Sequence, residues 1–142
     1  MAVKLTADEL GYITVFERMT GAVTKDCIID EDENKIVFVV KEGDMGLAIG
    51  RKGVNVQRVG KTIGKRIEVI EHSEDPAKFV KNLLRPLRIK EVSVSDGEDR
   101  KIARVDVDVR DKIRAIGRRG KNVQKIRELA QRHCGINDVI IS

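Results

Sequence analysis

The chain has 142 residues, of which 41% are hydrophobic and 36% charged, and its formal net charge is +5. No apolar run approaches the roughly 20 residues that a membrane span needs, and the first residues lack the apolar stretch and cleavage site of a secretory signal. Cys27 and Cys134 are isolated and lack metal-ligand spacing, which favours a reducing compartment. We therefore expect a cytoplasmic protein with no membrane contact.

The first half of the chain predicts a helix, two strands, two helices and a strand. Thr6 and Glu9 have the spacing of a capping box, which begins a helix, and Gly21 and Gly64 are placed to end helices. The apolar run at 36–40 does not alternate with polar residues, so both faces of that strand should be covered. The predicted elements are a helix over 6–19, strands over 25–30 and 34–41, a short helix ending at 49, a helix over 54–63 and a strand over 66–71.

The second half predicts the same order, so the fold class is α+β with one domain over residues 1–72 and another over 73–142. Asp75 and Pro76 suit a helix start. The strand over 101–109 alternates apolar and charged residues, so helices should cover one of its faces, and we interpret Asp106 and Asp108 as members of cross-strand ion pairs. The predicted elements are a helix over 75–85, strands over 89–95 and 101–109, a short helix over 111–116, a helix ending at 133 and a strand over 136–141.

A glycine-bracketed segment occurs at equivalent places in the two halves. It spans residues 49–59 and, 67 residues later, residues 116–126, and seven of the eleven positions are identical. Repetition of this kind indicates a duplication. In each copy Gly-basic-basic-Gly opens a helix. The glycines would let a ligand approach the main chain closely, and the helix start would offer amides and the positive end of its dipole to a phosphate.

The basic residues are concentrated around these two segments. Residues 45–67 contain six basic residues and no acidic one, and residues 110–132 contain nine basic residues and two acidic ones. The remainder of the chain is net acidic. A cationic face on an acidic body predicts a polyanionic ligand at the glycine segments.

Other phosphate motifs and catalytic patterns fail on spacing. Gly60-Lys61-Thr62 resembles the end of a nucleotide-binding P-loop, but the glycine required five residues earlier is Asn55. His72 and His133 have no partner cluster, and the acidic residues at 30–33 lack the spacing of a calcium loop. We therefore expect no enzyme, with no catalytic residue, no metal and no cofactor.

The element order and the doubled Ile-Gly-x-x-Gly, with basic residues between the glycines, resemble KH domains of the second topological type. The stretch over residues 44–53 is similar to the NusA-like transcription factors of archaea, and the resemblance covers essentially the whole chain. It implies two tandem KH domains, each a three-stranded mixed sheet covered by helices on one face. In such domains the loop clamps about four nucleotides of single-stranded nucleic acid. The resemblance also implies a role in transcription elongation or termination, by holding nascent RNA, with RNA polymerase or its transcription complex as a partner.

The implied RNA-binding residues are the two loops and their flanks. No aromatic residue lies in either segment, so bases would meet aliphatic walls rather than stacking platforms. The grooves could be lined by Ile49, Val56, Ile116 and Val123, or these residues could belong to the core. The asparagines could contact RNA or only cap and solvate a helix. The position of Val54 in the first copy is occupied by Lys121 in the second. We therefore expect the second loop to hold phosphate more strongly than the first. The residues are Ile49, Gly50, Arg51, Lys52, Gly53 and Asn55, and Ile116, Gly117, Arg118, Arg119, Gly120, Lys121 and Asn122.

Two other functions fit the same residues. Because KH modules also serve in ribosome assembly and RNA processing, an RNA-binding factor in either process is one alternative. The other is a protein-interaction scaffold, in which one or both loops bind an acidic surface of a partner.

Overall fold

Each half of the chain folds as its own unit, the first ending at His72 and the second beginning at Ser73. The structure, a computed structural model, describes residues 4–97 and 99–142. Residues 1–3, at the start of the N-terminal segment that lacks a secretory-signal pattern, lie outside the described residues. Both units have the order helix, strand, strand, helix, helix, strand.

The first unit is a three-stranded mixed sheet with three helices. Its elements are α1 Ala7–Thr20, β1 Thr24–Asp30, β2 Lys35–Val40, α2 Met45–Ile49, α3 Val54–Ile63 and β3 Arg66–Glu71. Strand β2 lies between the other two, antiparallel to β1 and parallel to β3. Strand β3 is therefore at an edge of the sheet, where one row of its backbone groups has no neighbouring strand.

The second unit repeats this topology. Its elements are α4 Pro76–Leu84, β4 Ile89–Asp96, β5 Lys101–Val107, α5 Lys112–Ile116, α6 Lys121–Cys134 and β6 Asp138–Ile141. Strand β5 is central, antiparallel to β4 and parallel to β6. The predicted α+β class with a three-stranded mixed sheet is confirmed.

The helix starts are stabilised by the side chains that the sequence indicates. At α1, the backbone amide of Thr6 donates to Glu9 Oε1 at 2.8 Å, and the amide of Glu9 donates to Thr6 Oγ1 at 3.1 Å. At α4, Asp75 accepts from the amide of Ala77 at 3.1 Å, and Pro76 occupies the first turn. Both helix starts are therefore confirmed.

The core of the first unit lies between one face of the sheet and its three helices. Phe16 of α1 stacks on Phe38 of β2 with ring centroids 4.1 Å apart, and Ala48 of α2 and Val59 of α3 belong to the same buried cluster. All five residues from 36 to 40 have no exposed surface. The expectation that both faces of β2 are covered is therefore confirmed.

In the second unit the burial of β5 alternates. Ala103, Val105 and Val107 are buried, whereas Arg104 and Asp106 between them are exposed. Apolar residues of α4 and α6 are buried as well: Phe79, Val80, Leu83, Leu84, Val123, Ile126, Leu129 and Ala130. The alternation read from the sequence is confirmed for this strand.

The end of β5 and the pairing of Asp108 were predicted wrongly. The strand ends at Val107, and Val109 lies in a single 3-10 turn with 80% of its surface exposed. Asp108 Oδ1 accepts from the backbone amide of Arg110 at 2.9 Å and from its Nε at 3.0 Å, and Asp108 Oδ2 accepts from Nη2 at 3.0 Å. The ion pair is therefore local and caps a turn, because a short carboxylate reaches an amide two residues ahead.

Candidate nucleic-acid interface

The two glycine loops have the same backbone conformation. Gly50 has φ 75° and ψ 171°, and Gly117 has φ 81° and ψ 167°. Each loop then makes one 3-10 turn, and its closing glycine, Gly53 or Gly120, is left-handed and immediately precedes the second helix of the corner. Because positive φ with extended ψ is open to glycine alone among common residues, the first glycine of each loop is required by the backbone.

The close approach of the second helix also requires a glycine at this point. A Cβ built on Gly50 would lie 2.7 Å from Asn55 Cγ and 2.9 Å from its backbone nitrogen. On Gly117 it would lie 2.6 Å from Asn122 Cβ and 2.7 Å from the backbone nitrogen. Any side chain would therefore push the two helices of the corner apart.

The two asparagines fasten each corner across its loop. Asn55 Nδ2 donates to the carbonyl of Leu47 in α2 at 2.8 Å, and Asn122 Nδ2 donates to the carbonyl of Ala115 in α5 at 2.8 Å. Helix ends leave carbonyls without partners in the helix, and these amides bind carbonyls near the ends of α2 and α5. The asparagines therefore hold the loop in shape, a role beyond the two readings that the sequence left open.

A second repeated residue ties each corner to its sheet. Asp44 Oδ2 accepts from the amide of Val23, just before β1, at 2.9 Å. Asp111 Oδ2 accepts from the amide of Arg88, just before β4, at 2.9 Å, and Asp111 is buried. Both aspartates stand six residues before the first glycine of their loop. Sequence reasoning missed them, although extending the repeat a few residues would have found them.

The basic side chains of the loops are turned to solvent. Arg51, Lys52, Arg118 and Arg119 are all exposed, and within the described residues none of them forms an ion pair. Lys52 and Arg119 are left-handed, with φ of 55° and 57°, a conformation that costs a non-glycine residue energy and that clusters at functional sites. The loops therefore offer uncompensated positive charge.

The starts of α3 and α6 lack side-chain caps. Their N-cap residues are Gly53 and Gly120, and neither start has a capping hydrogen bond from a side chain. The first amides of a helix carry partial positive charge and bind anions well. Each loop thus places two basic side chains and an uncapped helix start at one corner.

A cleft of about 500 Å³ lies beside the first loop, between α3 and the edge strand β3. Its wall is apolar at Val56 and Ile67, and basic at Lys65 and Arg66. Lys35 Nζ is 3.1 Å from Glu68 Oε1, so this acid is neutralised within the cleft. The cleft residues are Lys35, Val56, Gln57, Gly60, Lys65, Arg66, Ile67 and Glu68. Val56 was predicted as a possible groove wall. The other seven were not predicted, because the repeat does not indicate which strand borders α3.

Apolar side chains flank the loops in partly exposed positions. Ile49 is half-buried, whereas Ile116 is 39% exposed and Val54 43% exposed. Neither isoleucine is buried core, so both can contribute to an apolar surface beside the loops. The predicted residues of each loop therefore lie together at one corner of their own unit.

Three groups outside the loops have shifted pKa values. The hydrogen bonds from Arg110 hold the pKa of the Asp108 carboxyl well below its usual range, and the same contact raises the pKa of Arg110. Burial raises the pKa of the Cys134 thiol.

The described histidine, cysteine and acidic residues form no cluster of three or more that could hold a metal ion. Among residues 4–97 and 99–142, no helix combines the length and apolarity needed to cross a bilayer.

Two helices joined by a Gly-x-x-Gly corner beside a three-stranded mixed sheet define a class of domains that bind single-stranded nucleic acid. The KH-domain model matches residues 11–114, a single span that includes parts of both units. Over 139 residues the chain is 39% identical to the probable transcription termination protein NusA of Methanococcus vannielii, covering 98% of this chain and 79% of that protein. It is 37% identical to the protein of the same name in Halobacterium salinarum, covering 98% of each.

A solved structure agrees with these relatives. The crystal structure of APE1850 is similar to this structure, with a TM-score of 0.78 and a sequence identity of 38%. The match covers 97% of this chain and 100% of that one. The chain therefore belongs to the KH-domain family, and within it to the NusA-like proteins found in archaea.

Proposed function

We propose that this protein binds single-stranded RNA through its two glycine loops, each unit acting as a type II KH domain. The observation that carries the proposal is the repeated corner. Twice in the chain, a glycine in a glycine-only conformation brings an uncapped helix start and two exposed basic side chains to one point. Repetition of the same strained geometry favours selection for a ligand over a chance turn.

The loops would hold the sugar-phosphate backbone. Basic side chains and amides at a helix start are the groups that position phosphates in nucleic-acid complexes. Arg51 and Lys52 serve the first loop, and Arg118 and Arg119 the second. The asparagines keep each corner closed, so they support the loop through its backbone rather than by reading the strand.

Bases would be received beside the loop. In the first unit the cleft between α3 and β3 offers Val56 and Ile67 as an aliphatic wall, and the edge of β3 offers backbone groups for hydrogen bonds. Aliphatic contact and edge polar groups read unstacked bases without an aromatic platform. Backbone clamping and base contact thus fall to adjacent parts of the same unit.

The relatives support a proposal for the process in which this binding acts. Proteins that match nearly all of this chain bear the name probable transcription termination protein NusA. We assign this protein a role in transcription elongation and termination, in which it holds nascent RNA as the transcript leaves the transcription complex. RNA polymerase or its complex is then the protein partner.

The test reverses the charge of one loop. The double variant Arg51→Asp and Lys52→Asp should bind a single-stranded RNA of about ten nucleotides at least about tenfold more weakly. Its affinity should also fall less steeply with salt, because each lost phosphate contact removes about 0.7 from the slope of log K against log salt. Aspartate tolerates the left-handed position of Lys52, so the circular dichroism spectrum should be unchanged.

A matched control separates the loop from overall charge. Lys25→Asp with Lys41→Asp makes the same change of net charge at two exposed lysines of the first unit outside the loop. The change in log Kd of this control should be less than about a third of the change in the loop variant, since only long-range attraction is lost. Equal losses in the two double variants would refute the clamp.

A further inference from the structure

The duplication places a glycine and an arginine at equivalent positions in the two units. Gly60 of α3 stands 67 residues before Arg127 of α6, the same offset that separates the glycine loops. At Gly60 the helix passes so close to the start of β3 that a Cβ would be 3.2 Å from the carbonyl oxygen of Lys65. No side chain projects here, and the position lines the open cleft of the first unit.

In the second unit the arginine fills the corresponding space. Arg127 Nε lies 3.0 Å from Asp138 Oδ1, and Arg127 Nε and Nη2 both donate to the carbonyl oxygen of Val139 at 3.3 Å. Asp138 is itself oriented by a hydrogen bond from the Val139 amide at 2.8 Å. The guanidinium thus joins α6 to the edge strand β6.

The strand registers show that these contacts fall on the counterpart of the first unit's cleft. Ile36 of β2 pairs with Ile67, and Ala103, which stands 67 residues after Ile36 and is likewise buried, pairs with Val139. Val139 therefore corresponds to Ile67, and the preceding residue, Asp138, corresponds to Arg66. Arg66 and Ile67 both line the open cleft of the first unit.

The arginine also satisfies a group that a base would otherwise use. Strand β6 is at the edge of its sheet, and outward-facing carbonyls of an edge strand are available to a ligand. The Val139 carbonyl already accepts two hydrogen bonds from Arg127. A base approaching this edge would have to displace a charged donor held by a carboxylate.

We propose that Arg127 closes the base-binding cleft of the second unit, so that this unit holds RNA by its phosphates alone while the first unit also reads bases. The inference rests on the proposed function, since it divides one RNA-binding activity between two unlike sites. The second loop keeps its own clamp, because Arg118 and Arg119 are exposed and are distinct from the residues that contact Arg127.

The experiment compares an RNA tetranucleotide with a tetramer of the same sugar-phosphate backbone that lacks bases, using the full chain. Amide chemical shifts in residues 50–53 and 117–120 report binding at the two loops separately. In the wild-type protein the first loop should prefer the RNA at least tenfold over the base-free tetramer. The second loop should bind the two ligands within twofold of each other.

Removing the arginine should open the second cleft. In Arg127→Ala, which keeps a good helix former at this position, the preference of the second loop for RNA should rise at least fivefold. Arg104→Ala is the control, because it removes the same charge from an exposed position on β5 outside the cleft, and it should leave the second loop's preference within twofold.

Two results would overturn the inference. One is a wild-type second loop that prefers RNA as strongly as the first, a result that needs no variant. The other is an Arg127→Ala protein with a native amide spectrum whose second loop still binds both ligands equally. If neither ligand shifts either loop, the proposed function itself fails, and the inference falls with it.

Discussion

Replacing Gly117 by alanine should lower the free energy of unfolding of the second unit by more than the backbone conformational penalty alone. Gly117 combines φ 81° with ψ 167°, a region that is nearly closed to residues with a Cβ and costs about 1–3 kcal/mol. The new Cβ would also lie 2.6 Å from Asn122 Cβ and 2.7 Å from the Asn122 backbone nitrogen. An overlap with a backbone atom cannot be relieved by a rotamer change, so α6 must move.

Movement of α6 would also weaken the cross-loop hydrogen bond of Asn122, which contributes about 0.5–1.5 kcal/mol. These two terms sum to about 1.5–4.5 kcal/mol. Because the steric overlap adds to them, we expect a loss in the upper part of that range, about 3–4 kcal/mol of the free energy of unfolding. A unit of this size has only about 4–10 kcal/mol in all. The substitution therefore removes a large fraction of the second unit's stability.

Gly135→Ala is the matched control within the same unit. Gly135 is also left-handed, with φ 65°, but a Cβ there would meet nothing within 4 Å. Its expected cost is the conformational penalty alone, about 1–2 kcal/mol. The difference between the two variants therefore isolates the close approach of the helices.

Native-state hydrogen exchange of the buried β5 amides gives the opening free energy of the second unit itself. Gly117→Ala should lower that free energy by about 1–3 kcal/mol more than Gly135→Ala does, given the terms above. Equal losses in the two variants would refute the claim that the loop glycine is required by the helix packed beneath it.

Three further outcomes are expected. Asp111→Ala should lower the free energy of unfolding by about 1–3 kcal/mol in urea titrations, because it leaves the Arg88 amide without its acceptor; an unchanged midpoint would contradict the anchoring role. Because burial raises the pKa of the Cys134 thiol, its thiolate fraction at pH 8 is low, so alkylation should be slower than that of a free cysteine and should accelerate in urea. Because Arg110 lowers the pKa of Asp108, the carboxylate stays ionised as the pH falls through its usual range. Arg110→Ala should return that pKa upward in a carbon-detected NMR titration, and an unmoved value would exclude the contact in solution.

Most of the fold was predictable because each element carries a local signal. The capping box at Thr6, the stop at Gly21 and the alternation along β5 all depend on neighbours in sequence, and all three are found. The strand end at Val107 was not predictable, because the alternation continues through 109. The chain leaves the sheet there since Asp108 turns it with its own side chain.

The candidate site was predictable where it is repeated and not where it depends on packing. The glycines and basic residues of the loops are visible in the sequence, whereas the cross-loop hydrogen bonds of Asn55 and Asn122 require the two helices to be in place. The cleft beside Gly60 depends on which strand lies at the sheet edge. The contrast with Arg127 is apparent only once the strand registers are known.

The central claim is that single-stranded RNA contacts both glycine loops, and amide mapping tests it most directly. An isotope-labelled full chain is titrated at low salt with a single-stranded RNA of about twelve nucleotides. We predict that the largest shifts fall in residues 50–53 and 117–120 and that they diminish as salt is raised. Saturable binding whose shifts lie elsewhere, with both loops unperturbed, would contradict it.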